Sequence, residues 1–345
     1  MSEDQRDLES IAKAIVADGR GILAADESNK TMTKRLEGVD VESTEESRRT
    51  FRELLFTTEG AEDYISGVIM YDETIRQSTS DGTPFPEFMK QHGVIPGIKV
   101  DTGAKPLSGS PDEKVTEGLD GLRERLEEYY DLGARFAKWR AVITIGDGIP
   151  TDYCIHTNAH ALARYAALCQ EQGLVPIVEP EVLMDGEHGI DTSYDVTLRT
   201  LHTVFDELFK QRIHFEGMLL KPNMVMSAYD CPEQASVDEV AERTVRCMRN
   251  VVPAAVPGLV FLSGGQSDER ASQHLNAMNA MEPQPWALSF SYGRALQGLP
   301  LNTWRGEESN VAETQAAYLH RAKLTGAAAR AEYSEEMEQE YRAAA

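Results

Sequence analysis

A (β/α)8 barrel forming one domain is the fold class predicted by this sequence, and three observations predict it. Short apolar runs ending in polar or charged residues recur along the chain, separated by segments with helical spacing or helix-start signals. There are about eight of them, the number that closes an α/β barrel. The runs are near-continuously apolar rather than alternating, as parallel strands covered by outer helices require. A length of 345 residues suits one such barrel and leaves ample chain for a core.

In order, the candidate strands are GILAADES from Gly21, GVIMYDE from Gly67, GIKVD from Gly97 and FAKWRAVI from Phe136. VPIVEPE from Val175, GMLLKPN from Gly217, LVFLSGGQS from Leu259 and WALSFSYGR from Trp286 complete the series. Helices are predicted between them at EESRRTFRELLF, GLDGLRERLEEYYDLG, NAHALARYAALCQEQG, TLRTLHTVFDELFKQR and DEVAERTVRCMRNVV, with Ser43 and Glu46 as a capping box for the first. A doubly wound open sheet is the alternative. It is disfavoured because no GxGxxG or GxxxxGK[ST] loop follows any strand. The barrel is assigned to residues 1–325, and 326–345 to an acidic, Ala-rich tail.

Composition excludes several function classes. A net charge of -23 disfavours nucleic acid and anionic membrane surfaces, although a local cationic pocket can still hold a small anion. Cys154, Cys169, Cys231 and Cys247 are dispersed without metal-like spacing and read as free thiols in a reducing compartment. The acidic, amphipathic N-terminus lacks the features of a signal peptide, and no apolar run is long enough to cross a bilayer. A cytoplasmic location is expected.

Barrel enzymes carry their chemistry at the C-terminal ends of the strands. Here those ends are unusually polar: Asp26, then Lys99 with Asp101, Lys138 with Arg140, Glu179 with Glu181, Lys221, Ser263 to Gly265, and Ser291 to Arg294. Residues two apart on a strand share a face, so each of the Lys138/Arg140 and Glu179/Glu181 pairs points one way. Any one of these charges could be a barrel salt bridge. The whole set is costly to bury without a functional reason.

Lys221 follows the apolar GMLL and precedes Pro222, which puts an amine at the end of a buried strand. Desolvation and positive neighbours such as Lys138 favour a neutral amine that can attack a carbonyl. The resulting iminium is an electron sink for breaking a carbon–carbon bond two atoms away, with no metal or cofactor. The two remaining proton transfers call for carboxylates, with Glu179 suited to carbinolamine dehydration and Asp26 to the hydroxyl beside the scissile bond. Ser263 to Gly265 and Ser291 to Arg294 fit a phosphate site formed by the last two loops.

The motifs GILAADES, GIKVD, AKWR, VPIVEPE, LLKPNMV, FLSGGQS and SFSYGRAL resemble, in order, the signatures of class I fructose-bisphosphate aldolases over roughly residues 8 to 325. The resemblance implies a (β/α)8 barrel, a homotetramer, and reversible cleavage of fructose 1,6-bisphosphate to dihydroxyacetone phosphate and glyceraldehyde 3-phosphate. It implies that Lys221 is the Schiff-base lysine and Glu179 the main acid/base, while Lys138 assists imine formation. Asp26 would act at the C4 hydroxyl and Glu181 would shape the proton network. Ser263, Gly264, Gly265, Ser291, Gly293 and Arg294 would hold the C1 phosphate, with Lys99, Arg140, Ser28 and Arg35 on the rest of the substrate. One departure is that the animal members end in a tyrosine, whereas this chain ends in TyrArgAlaAlaAla and places Tyr341 four residues from the carboxyl terminus.

His156 and His160 have the spacing of a zinc pair, but IHTNAH lacks the intervening Glu and offers no obvious third ligand, so helix packing or surface histidines are expected instead. Met224 and Met226 read as packing residues. Three rival functions remain: an aldolase for fructose 1-phosphate, one for sedoheptulose bisphosphate, and a non-catalytic scaffold. The complete acid/base set argues against the scaffold.

Overall fold

A computed structural model describes residues 3–339. Its strands are β1 Gly21–Ala25, β2 Ile65–Met70, β3 Ile95–Lys99, β4 Gly103–Leu107 and β5 Ser110–Glu117. They continue as β6 Phe136–Ile143, β7 Val175–Val182, β8 Leu219–Leu220, β9 Gly258–Phe261 and β10 Ala287–Tyr292. Eight of them close a parallel barrel in the order β1-β10-β9-β8-β7-β6-β3-β2. Each of the eight predicted runs supplies one barrel strand. The antiparallel hairpin β4/β5 was not predicted, because its sequence GAKPL…SPDEKVTE is polar and looks like a loop. It is held to β6 by Thr116, whose hydroxyl donates to the Arg140 carbonyl at 2.7 Å.

The longer helices of the first half are α1 Glu3–Ile15, α2 Asn29–Glu37 and α3 Glu45–Phe56, with short turns α4 Asp72–Ile75 and α5 Phe85–Gln91. Then follow α6 Leu122–Asp131, α7 Asp152–Glu171, α8 Ile190–Lys210 and α9 Val237–Val251. The last three are α10 Asp268–Asn279, α11 Arg294–Trp304 and α12 Val311–Ala328. Helix α3 has the predicted extent, but its capping box is Thr44 with Ser47 rather than Ser43 with Glu46. Ser43 is engaged elsewhere, accepting from Thr33 at 2.8 Å and from Arg48 at 3.2 Å, so the next residue takes the cap. Helix α12 runs to Ala328, past residue 325. Beyond it Tyr333 is buried, and Glu338 reaches back to Arg321 at 2.6 Å. Tyr341 lies outside the described residues.

Two-residue periodicity explains how these strands serve both core and site. Their outward set, including Leu23, Ala25, Ala137, Trp139, Ala141, Val178 and Leu220, packs with the helix layer. The inward set begins apolar, with Ile22, Ala24, Phe136, Val175, Ile177 and Leu219 in one cluster closed from below by Leu8, Ala12 and Ile15 of α1. Continuing each inner face by two residues turns it charged. Asp26 follows Ala24, Lys138 follows Phe136, Glu179 follows Ile177 and Lys221 follows Leu219.

Candidate active site

The strand ends surround a cavity of about 550 Å3 at the C-terminal mouth of the barrel. Every site residue predicted from sequence lines it: Asp26 and Ser28 after β1, Arg35 on α2, Lys99, Lys138, Arg140, Glu179, Glu181 and Lys221, then Ser263, Gly264, Gly265, Ser291, Gly293 and Arg294. A larger groove, of about 880 Å3, lies between α9, α10 and residues 333–335, but no lysine lines it.

Lys138, Glu179, Glu181 and Lys221 are buried. The Lys221 ammonium lies 3.1 Å from Glu179 Oε1. Lys138 bridges two carboxylates, at 2.7 Å from Asp26 Oδ2 and 3.2 Å from Glu179 Oε2. Burial alone would raise the Asp26 carboxyl, but Lys138, Lys221 and Lys99 outweigh it and hold Asp26 well below the usual carboxylate range. Glu179 is likewise lowered: burial opposes, while Lys138, Lys221 and Arg140 prevail. Lys138 is raised, because Asp26, Glu179 and Asp101 overcome the desolvation that would lower it. Arg140 pairs with Glu181, and Lys99 with Asp101 at 3.6 Å.

The other half of the mouth is lined by backbone and hydroxyl groups. Gly264 and Gly265 have φ of +63° and +107°, a region open to glycine at little cost, so the SerGlyGly turn needs these residues. Ser291 Oγ is a buried oxygen with no hydrogen-bond partner in the protein, and the buried Glu179 Oε2 has only its ion pair with Lys138. Both lie where a polar ligand can satisfy them.

Sequence reasoning missed Glu27 and Tyr229, which line the same cavity. Glu27 accepts from Arg35 at 2.6 Å and Gln297 at 2.8 Å. Its place beside Asp26 in AADES was an available signal. Tyr229 lies eight residues past Lys221 in an irregular loop, and nothing in the sequence marks it. The structure also supplies the histidine pair with a neighbour on α8: His160 lies 2.9 Å from Glu207, which also takes Lys210 at 2.8 Å. Among the described residues no group of three or more His, Cys, Asp or Glu side chains is arranged to hold a metal ion, and no helix is long and apolar enough to cross a membrane.

The family described as fructose-bisphosphate aldolase class-I matches residues 7–345. This chain belongs to the class I fructose-bisphosphate aldolase family. A probable fructose-bisphosphate aldolase class 1 from Xylella fastidiosa is 60% identical over 323 residues, covering 93% of this chain and 97% of that protein. The fructose-bisphosphate aldolase of Dictyostelium discoideum is 50% identical, with 96% and 93% covered. Among solved structures, the aldolase of Plasmodium falciparum, crystallised with TRAP and a small-molecule inhibitor, superposes with a TM-score of 0.95 at 48% identity, covering 97% of both chains. The aldolase barrel is thus the fold of this chain, and its activity is that of a lyase cleaving fructose 1,6-bisphosphate to dihydroxyacetone phosphate and glyceraldehyde 3-phosphate.

Proposed function

We propose that this aldolase works through a Schiff base on Lys221. The observation that carries the reading is the chain of ion pairs Lys221, Glu179, Lys138, Asp26, linked at 3.1, 3.2 and 2.7 Å. The Lys221 amine attacks the C2 carbonyl, and Glu179, assisted by Lys138, delivers the proton with which the carbinolamine loses water. Lys221 is one of the cations that keep Glu179 ionised, so when it gives up its proton that hold weakens and Glu179 becomes a better proton carrier. Asp26, an anion across the physiological range, accepts the C4 hydroxyl proton as the C3–C4 bond breaks. The bonding electrons pass into the iminium, giving an enamine, and the aldehyde product leaves. Protonation at C3 and hydrolysis then return the free lysine. Glu181, paired with Arg140, orients this network.

In this reading Ser263, Gly264, Gly265, Ser291, Gly293 and Arg294 bind the C1 phosphate through backbone N–H groups, hydroxyls and a guanidinium. Lys99, Arg140, Arg35 and Ser28 serve the rest of the substrate. Steady-state kinetics on fructose 1,6-bisphosphate, fructose 1-phosphate and sedoheptulose 1,7-bisphosphate rank the possible substrates. Glycolytic and gluconeogenic flux, a cytoplasmic location and a homotetramer complete the proposal. One barrel domain followed by an acidic tail, and a tail role at C3 through Tyr341, are part of it too; truncation after Gln339 tests the last by slowing detritiation of labelled dihydroxyacetone phosphate.

The central test is borohydride reduction during incubation with dihydroxyacetone phosphate. Hydride converts the iminium to a secondary amine, and peptide mass mapping is expected to find it on Lys221. Label on a different lysine, or none in an active preparation, refutes the assignment.

A further inference from the structure

We propose that Tyr229 is a positioning residue for the phosphate-binding turn at Ser263, Gly264 and Gly265, a role that rests on the reading of that turn given above. Tyr229 lies on the loop that follows Lys221. The N–H groups of Ala228, Tyr229 and Asp230 donate to the carbonyls of His188, Met184 and Gly186 at 2.9, 3.0 and 3.0 Å, which zips this loop along the one after β7. The side chain reaches a third loop, because its phenol donates to the Gly264 carbonyl at 2.8 Å and lies 3.7 Å from the Met184 sulfur. Tyr229 therefore ties together the loops after β7, β8 and β9. Those three strands lead to Glu179, Lys221 and the phosphate turn.

The turn has particular need of such a tether. Two successive glycines at positive φ sit in a conformation with little intrinsic rigidity, so neighbours must select one peptide orientation. In a trans peptide the C=O and N–H point opposite ways, and holding the Gly264 carbonyl therefore also fixes the direction of the Gly265 N–H. A Cβ placed on Gly265 would stand 2.6 Å from Arg294 Nη2 and 3.2 Å from Tyr229 Oη, so the phenol and the guanidinium flank the same residue. Burial pushes the phenol up to about 12 against the opposing effect of Arg294, which keeps it a hydrogen-bond donor at neutral pH. The role is positional: Tyr229 keeps the turn and Arg294 in the arrangement that a phosphate dianion meets.

Tyr229→Phe in the full-length enzyme removes only the hydroxyl. The expected result is a rise of about three- to tenfold in KM for fructose 1,6-bisphosphate, the size of one lost hydrogen bond, with kcat within about twofold. The inhibition constant for inorganic phosphate rises by the same factor. Borohydride trapping of dihydroxyacetone, which has no phosphate, proceeds on Lys221 at the wild-type rate. Unchanged KM and phosphate inhibition would overturn the proposal, as would equal losses with dihydroxyacetone and its phosphate ester. The wild-type enzyme separates two failures. If it does not trap dihydroxyacetone phosphate on Lys221, the active-site reading itself fails; normal trapping with an unaffected phosphate response in Y229F refutes the role of Tyr229 alone.

Discussion

The two ends of the barrel interior are built from the same strands and solve opposite problems. At the N-terminal end Phe136, Ile177 and Leu219 meet α1 in a dry apolar plug. Gly97 is needed there because a Cβ would overlap the Phe136 ring. Two residues further along the same inner faces, Lys138, Glu179 and Lys221 form a buried ionic cluster at the mouth. Apolar burial at the lower end contributes stability, about 25 cal/mol per Å2 removed from water. Buried ion pairs at the upper end contribute little net stability, since desolvation opposes their attraction. What the comparison teaches is that one strand can be split in two: the first half of its inner face packs the core, and the second half carries buried charge to the mouth.

Substitutions that separate the two ends should lose different things. Lys221→Met is expected to lower kcat by about 10⁴-fold or more and abolish borohydride trapping while leaving the thermal midpoint near wild type. EDTA is expected to leave wild-type activity intact; activity lost to chelator and restored by zinc would instead support a metal mechanism. Glu179→Gln should cost about 10²- to 10⁴-fold in kcat, the usual range for one acid/base group. A circular-dichroism melt of each variant checks the contrast, because a collapsed fold would erase the distinction between the ends.

At the opposite end, Phe136→Ala should destabilise the fold by about 3–5 kcal/mol through the cavity it leaves, with kcat per folded molecule close to wild type. Denaturant titration beside active-site titration measures both. Arg294→Ala, at the exposed rim of the mouth, should lower kcat/KM for fructose 1,6-bisphosphate by about 10- to 100-fold, and much less for a substrate without the C1 phosphate. Equal losses on both substrates would make Arg294 structural.

The pH response sharpens the same contrast. Asp26 and Glu179 have depressed folded values, so their stabilising effect is present above the unfolded carboxylate range and is lost only as pH falls through the folded values. The outer layer behaves differently. Burial lowers His274 of α10 to about 4, aided by Arg270, while its Nδ1 lies 2.6 Å from Gln266 Oε1. A histidine kept neutral in the fold stabilises above its unfolded value of about 6.5, and that stability drains away as pH falls from there toward 4. Asp268 on the same helix is raised to about 6 by burial, despite the opposing Arg321, and works against this by stabilising at low pH. The His274 contribution falls by about 2 kcal/mol between pH 7 and pH 5. His274→Gln should remove this acid-side loss, so that the thermal midpoint rises from pH 7 to pH 5 relative to wild type, as Asp268 left unopposed would drive it, without altering the pH profile of kcat; an unchanged pH dependence would contradict the assignment.

Much of this molecule follows from local sequence. The number of barrel strands was legible because a strand buried on both faces reads as an unbroken apolar run, and Gly21–Ala25, GILAA, is such a run, buried at every position. Lys138, Glu179 and Lys221 were legible as part of a set, because many charges ending such runs are costly to bury together without a functional reason, although any one alone could be a salt bridge. Three things had to await the tertiary structure. The β4/β5 hairpin is polar, and only its docking on β6 identifies it as a strand pair. Chain pairing in space decided that Lys138 would bridge Asp26 and Glu179, residues 112 and 41 positions away from it in sequence (138 − 26 and 179 − 138). Tyr229 belongs to an irregular loop without periodicity, and its contact with Gly264 depends on how three loops stack at the mouth. Periodicity and residue type determine which side chains face inward on a strand; which of them then touch is decided by barrel closure, because distance in space is set by the pairing of strands rather than by spacing along the chain.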